Sequence, residues 1–317
     1  MVDVRGAAAD LGYRAGWAAV RYAPAGLARA VFDAAGDFAG RRGGGPAQLR
    51  KNLARVVGVE PAEVSEELMT AAMRSYARYW REAFRLPAAD PVQIVADTHL
   101  SDDDLELLDR SVKSGRGVVF ALPHSGNWDV CGVYLVARYG RFSTVAERLK
   151  PESLFDQFVE YRESLGFEVF PLTGGEQPPF PTLAARLRDG GLVCLLGDRD
   201  LSHHGVPVQF FGEPTRFPAG PAKLAVETGA VLLAVHHSFG EGDRTVIRLA
   251  EIDVDDVAPT TQRVADAFAA GIATAPQDWH MLQPLWAADW SAQRRDRLAA
   301  EELGAEESGD HSGGEPR

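Results

Sequence analysis

Residues 117–129 read GVVFALPHSGNWD, and the rest of the chain can be read outward from them. Val118 to Leu122 form an unbroken apolar run, the pattern of a strand buried on both faces. Pro123 ends it, because proline has no N–H to give to a ladder. His124 then stands at the carboxyl end of that strand, where open α/β sheets gather their reactive groups. Ser125, Gly126 and Asn127 turn the chain into a new helix. Asp129 falls in the first turn of that helix, from which its carboxylate is expected to fold back on the imidazole and set its tautomer. A plainer reading makes His124 a loop residue and Asp129 a partner of the positive helix end.

Around this stretch, strand and helix patterns alternate. Strands are predicted near Gln93–Asp97, Gly117–Leu122, Ser143–Ala146, Glu168–Pro171, Leu192–Leu196, Val231–His237 and Thr245–Ala250. Helices are predicted at about Asp103–Lys113, Trp128–Arg138, Glu152–Leu165, Thr182–Arg188 and Gly220–Thr228. Such alternation predicts an α/β fold, a central, mixed but largely parallel sheet flanked by helices. No repeat or linker divides it, so residues 1–290 are expected to form one domain. Residues 291–317 turn polar and acidic and are expected to be a disordered tail.

The N-terminal third is helical in pattern. Leu11–Tyr22 places Tyr13, Trp17 and Val20 at helical spacing, and Leu27–Phe38 continues it. Gln48–Val57 reads as a basic amphipathic helix, with Leu49, Leu53 and Val56 opposite Arg50, Lys51 and Arg55. Pro61 and the acids after it open a long helix to about Leu86, whose Tyr76, Tyr79, Trp80 and Phe84 repeat at spacings of three and four. Core packing explains that aromatic stripe most simply.

A chain of 317 residues, 45% hydrophobic and 25% charged, has the make-up of a soluble globular protein. Asp3, Arg5 and Asp10 break any secretory leader, and no apolar stretch approaches the roughly 18 residues that span a bilayer. Cys131 and Cys194, both in apolar surroundings, are expected to be buried thiols in a reducing compartment. A net charge of −12 argues against general binding of nucleic acid. Residues 1–60 nevertheless hold nine Lys/Arg against five Asp/Glu, a net of +4. A basic head on an acidic protein points to an anionic membrane surface, with the N-terminal helices lying on it without crossing.

Further groups sit where chemistry would be expected. Arg148 and Lys150 follow the Ser143 strand, Thr173-Gly174-Gly175 follow the Glu168 strand, and Asp198-Arg199-Asp200 follow Leu192–Leu196. Lys223 lies at the start of the Gly220 helix, whose N-terminus favours an anion. Cations, glycine turns and a helix start together suit a substrate bearing phosphates or a thioester. His203–His204 and His236–His237 raise a metal alternative. Neighbours on a strand point to opposite faces, however, so His236 and His237 cannot share one ion, and no metal site is assigned. A serine hydrolase elbow is also missing.

The words HSGNWD (124–129), TVAERLKPES (144–153), YRESLGFEV (161–169), LTGG (172–175), CLLGDRDL (194–201), GVPVQFFGEPT (205–215), PAGPAKLA (218–225) and WHMLQPLW (279–286) run through nearly the whole folded chain. In these the chain resembles the bacterial lipid A-type acyltransferases, most closely the branch acting on phosphatidylinositol mannosides, where Asp rather than Glu ends the H-x4-D/E box. The resemblance implies acyl transfer from acyl-CoA, a co-substrate with no cofactor beside it, to a mannose hydroxyl of a phosphatidylinositol mannoside. It places that reaction at the cytoplasmic face of the cell membrane, with a peripheral enzyme. His124 would be the base and Asp129 its neighbour in the box. Asp198 stands where close relatives carry a Glu that pairs with the His. Family position favours Asp198 as the orienting acid, and sequence proximity favours Asp129. Arg162 would help hold the acceptor or the donor phosphates.

The chemistry fits such a reaction on general grounds. A sugar hydroxyl is too weak an acid to attack unaided, so a positioned His must take its proton as the new bond forms. The thioester oxygen gains charge and needs a donor beside it. Neither cysteine suits an acyl carrier, which favours direct transfer within a ternary complex. A long acyl chain calls for a dry channel, expected inside the sheet and along Tyr76–Phe84. The alternatives are an O-acyltransferase of another glycolipid or of lipid A, a silent lipid-binding protein of the same fold, and a metal-dependent phosphoesterase.

Overall fold

The structure is a computed structural model that describes residues 16–147, 152–175, 178–200 and 205–296, without the side chains of 152–154. Its centre is β2 (Val118–Leu122), every residue of which is buried. On one side β2 pairs in parallel with β5 (Leu192–Leu196), Leu122 opposite Leu196; on the other it pairs with β8 (Val231–Phe239). The sheet extends through β3 (Ser143–Ala146) to β4 (Glu168–Pro171) at one edge. At the other lie β9 (Thr245–Glu251) and the two-residue β1 (Thr98–His99), giving the order β1-β9-β8-β2-β5-β3-β4. Within this sheet, among the described residues, only the β8–β9 pair is antiparallel. The architecture is thus α/β, with a mostly parallel mixed sheet.

Alternation along β2 separates two cores. Val119 and Ala121 pack with α8 (Pro179–Arg188), α9 (Gly220–Thr228) and α10 (Val257–Thr274), together with Trp279 and Trp286. Val118, Phe120 and Leu122 face α5 (Asp102–Lys113), α6 (Trp128–Tyr139) and α7 (Glu152–Ser164). A third cluster, with Leu49, Leu53 and Met69, joins α2 (Ala47–Val57) to α3 (Glu66–Arg85). Ser65 caps α3 by accepting from the Leu68 N–H, a bond worth about 1 kcal/mol. Against α3 lies α1 (Ala25–Arg41), so close that a Cβ on Gly36 would come within 2.7 Å of Arg74 Cα, and one on Gly40 within 2.6 Å of Thr70 Cα.

Several expectations change. Residues 93–97 are not a strand but most of α4 (Pro91–Asp97), because Asp90 caps the helix and Pro91 suits its first position. The hairpin β6 (Val206–Phe210) and β7 (Glu213–Phe217) has no counterpart in the sequence reading, nor has α10. Pro207 and Pro214 hide the hairpin, since they are tolerated only because the ribbon has two strands. Phe211 and Gly212, both at positive φ (49° and 78°), turn it in the manner of a type I′ hairpin. Tyr13, Arg14 and the tail from 297 onward lie outside the described residues, while 16–22 are helical. No described helix is long and apolar enough to cross a membrane.

The basic face of α2 is not free. Arg50 donates to the carbonyls of Gly44 (2.7 Å) and Val64 (2.6 Å), and Lys51 lies 3.2 Å from Asp289. Arg55 pairs with Asp289 (2.7 Å) and Glu213 (2.9 Å). Trp17 likewise turns inward, donating its indole N–H to Phe84 O. Among the described residues, Leu27, Val31 and Phe38 share one exposed apolar stripe on α1, with Tyr22 just before it.

Candidate active site

The pairing of β2 with β5 builds the site. With Leu122 opposite Leu196, His124 and Asp198 are each two residues past the end of their strand, and so are neighbours. His124 Nδ1 lies 2.5 Å from Asp198 Oδ1. Asp198 Oδ2 accepts from the His124 backbone N–H (2.9 Å) and from the indole N–H of Trp279 (3.0 Å). Asp198 is fully buried, which by itself would raise its pKa. The adjacent imidazole and the donated hydrogen bonds of His124 and Trp279 outweigh that, and hold the carboxyl below its usual range. A carboxylate at Nδ1 keeps the proton on that nitrogen and leaves Nε2 with a free lone pair. The imidazole, about a quarter exposed, can therefore accept a proton from a hydroxyl presented to it.

The turn after His124 is over-determined. The Gly126 N–H donates to Asp278 O, and the His280 N–H donates to His124 O (both 2.8 Å). The Asn127 N–H donates to His237 Nδ1 at 2.5 Å. Gly126 needs to be glycine: its φ is +55°, and a Cβ there would fall 1.8 Å from His237 Nδ1. The Asn127 side chain caps α6 through the N–H groups of Asp129 and Val130, and its amide donates to Glu82.

Because Asn127 is the cap and α6 begins at Trp128, Asp129 does not fold back on His124. Its carboxylate faces α7, where Arg162 Nε donates to it at 2.8 Å. Sequence proximity therefore misleads here, since helix direction decides where the side chain points. Arg162 is correspondingly held by Asp129 through Nε and Nη2. Arg199 is 3.9 Å from Glu147 at the ends of β5 and β3. Thr173, Gly174 and Gly175 form bends after β4, next to β3 in the sheet. Lys223 lies over the ring of Phe180 and 3.8 Å from Glu227 on the outer side of α9. Arg148, Lys150 and His203–His204 lie outside the described residues. His236 and His237 do point to opposite faces of β8, His237 to the Asn127 turn and His236 to Gly271 of α10.

Trp279 and His237 escape the sequence reading. Each acts across more than 80 residues (81 and 110 positions), and nothing local marks a tryptophan or a strand histidine as a hydrogen-bond partner of a distant loop.

Beside the pair runs a narrow apolar cavity of about 90 Å3. Its walls are the α6-facing side of the sheet, from Leu249 on β9 through Val235, Phe120 and Cys194 to Thr144 on β3, with Trp128, Asp129 and Arg162 also lining it. Four inter-strand spacings separate β9 from β3, so the cavity spans roughly 19 Å. No residue of Tyr76–Phe84 borders it. Tyr76, Trp80 and Phe84 instead wall a separate apolar groove of about 880 Å3 with Trp17, Phe32 and Phe158. Cys131 and Cys194 line the narrow cavity, and burial pushes both thiols far above their usual pKa, unsuited to nucleophilic attack.

An oriented imidazole at the carboxyl edge of a parallel sheet, next to a long dry slot, describes a site for transfer of an apolar acyl group. Residues 6–288 match the model of the bacterial lipid A biosynthesis acyltransferases, and the chain belongs to that family. It is an acyltransferase. A phosphatidylinositol mannoside acyltransferase of Mycolicibacterium smegmatis is 58% identical to it over 300 residues, 94% of this chain and 97% of that protein. One from Mycobacterium tuberculosis is 55% identical over 293 residues, 92% of each chain.

Proposed function

We propose that this enzyme moves a long acyl group from acyl-CoA to a mannose hydroxyl of a phosphatidylinositol mannoside, with His124 as general base and Asp198 as the acid that orients it. The observation that carries this reading is the His124–Asp198 contact beside the cavity. The two mycobacterial relatives, both phosphatidylinositol mannoside acyltransferases, support the acceptor. The acyl chain occupies the slot between the sheet and α6. The CoA phosphates lie toward the ends of β3, β4 and β5, near Arg199 and Thr173–Gly175. The acceptor is taken from the cytoplasmic leaflet, with the enzyme held at the membrane surface.

In this reading His124 Nε2 removes the hydroxyl proton as the oxygen attacks the thioester carbon. Asp198 stabilises the imidazolium without taking its proton. Collapse of the tetrahedral adduct breaks the C–S bond, and the imidazolium returns the proton to the leaving sulfur. The products are the acylated glycolipid and free CoA. Transfer is direct, since neither buried thiol is suited to carry the acyl group. The test is to supply purified protein with acyl-CoA and a mannosylated phosphatidylinositol and follow the product by mass spectrometry. One acyl group should be added to the glycolipid, and His124→Ala should abolish its addition. Near-normal turnover by His124→Ala would end the acid–base assignment.

A further inference from the structure

We infer that the indole N–H of Trp128 donates to the thioester carbonyl oxygen and stabilises the charge that develops on it. The inference rests on the acyl transfer proposed above. Trp128 opens α6, lines the narrow cavity beside Asp129 and Arg162, and presents its ring edge-on to His124, centroids 5.5 Å apart at 75°. On its other side it packs on the Tyr79 ring at 4.3 Å. The indole is therefore held between the base and the cavity wall before substrate arrives.

Its Nε1 is buried and has no hydrogen-bond partner among the described residues. No other indole N–H is both buried and unpaired among the described residues. Trp279 donates to Asp198, Trp286 to Phe210 O, Trp290 to Leu285 O and Trp17 to Phe84 O. A buried N–H left unpaired is costly and calls for a reason. Here the reason is a ligand oxygen that arrives with the acyl chain. The nearby cation cannot take this part readily, because Arg162 is already bound to Asp129. A fixed neutral donor suits the task, since it needs no reorganisation when charge appears.

The reaction balances with this donor in place. The hydroxyl proton goes to His124 Nε2, the C=O π pair moves onto oxygen opposite the Trp128 N–H, and that pair returns as the C–S bond breaks. The thiolate then takes the proton from His124, and Trp128 keeps its own throughout.

The test removes only the N–H. Trp128→Phe keeps an aromatic ring on Tyr79. Replacing the indole with 3-benzothienylalanine keeps the full shape with sulfur in place of N–H, and carries the test if the Phe variant fails to fold. With acyl-CoA and mannosylated phosphatidylinositol, kcat should fall on the order of 10²-fold while KM for acyl-CoA barely moves. Two unreactive donors separate a role in chemistry from one in packing. An S-(2-oxoalkyl)-CoA offers a carbonyl oxygen, and an S-alkyl-CoA of equal length offers none. The variants should lose about five- to tenfold in affinity for the first and none for the second. Equal losses for both would show that Trp128 only shapes the pocket, and unchanged kcat would place the donor elsewhere; either overturns the inference. A wild-type enzyme that transfers no acyl group would instead count against the proposed function, which the analogue titrations do not require.

Discussion

Three donors converge on the Asp198 carboxylate, and two of them belong to His124. Replacing the acid by its amide leaves the shape but reverses one donor, so the imidazole settles in the wrong tautomer. Asp198→Asn is expected to stay folded and lose on the order of 10³–10⁴-fold in kcat, measured by thioester turnover. Asp129→Asn should differ in kind. It leaves Arg162 buried beside a neutral partner, which is expected to cost on the order of 3–5 kcal/mol of stability in urea unfolding. A full-strength fold with dead chemistry in Asp129→Asn, beside a lively Asp198→Asn, would reverse the two roles. Trp279→Phe removes the third donor to Asp198. Less hydrogen bonding to the charged form raises that carboxyl's pKa toward its unfolded value, so the stability lost on acidification should be smaller in the variant than in the wild type, read from urea midpoints at neutral and low pH. Parallel stability-versus-pH curves would show that Trp279 only fills space.

Among the elements, α1 and α2 divide roles that their composition assigns the other way round. Lys51 and Arg55 of α2 tie it to Asp289, and buried Asn52 adds hydrogen bonds to Met281 O (2.7 Å) and Gln283 O (3.0 Å). Reversing Arg55 to Glu is expected to lower the thermal midpoint, because Asp289 and Glu213 would then face a like charge and Trp286 would lose its cation cover. The exposed stripe on α1 is the surface to test for membrane contact. Changing Leu27, Val31 and Phe38 together to Gln should weaken sedimentation with anionic vesicles while the thermal midpoint holds, since these side chains bury little in the fold. Equal vesicle binding by this triple variant would place the contact on another surface.

Across the whole molecule, acid sensitivity is built into the core. Burial lowers the pKa of His236 to about 4 and of His237 and His280 to about 3. In the unfolded chain each would titrate near its ordinary value of about 6.5. Between those limits the unfolded state binds more protons, so stability falls as pH drops through 6.5 and levels only near 3–4. From pH 7 to pH 5 each ring contributes a loss of about 2 kcal/mol at most. Asp278 opposes this, since burial raises its carboxyl pKa in spite of the Ser75 and Phe239 donors. The urea midpoint should therefore drop between pH 7 and pH 5. His236→Leu, which removes a buried ring with both nitrogens unpaired, should flatten that drop by about one proton's worth. Parallel curves for the variant and the wild type would mean that His236 does not stay neutral in the core.

The sequence alone determined the features that depend on neighbours along the chain. The apolar run 118–122, its proline stop and the helix after Asn127 follow from local pattern, and so do five of the other strands. With them came the α/β class and the placing of His124 at a strand end. Local pattern misjudged Gln93–Asp97, where apolar β-branched residues belong to a capped helix, and it missed a hairpin whose prolines break the strand signal. What only the tertiary structure decided is which strand lies beside which. The register that sets Leu122 against Leu196 brings Asp198, 74 positions away, to His124, and the start of α6 sends Asp129 to Arg162 instead. The same packing ties up the α2 cations and leaves the α1 stripe bare. Pairing and facing depend on the summed burial of two cores and on which side chains meet across them, and no window of sequence contains both partners.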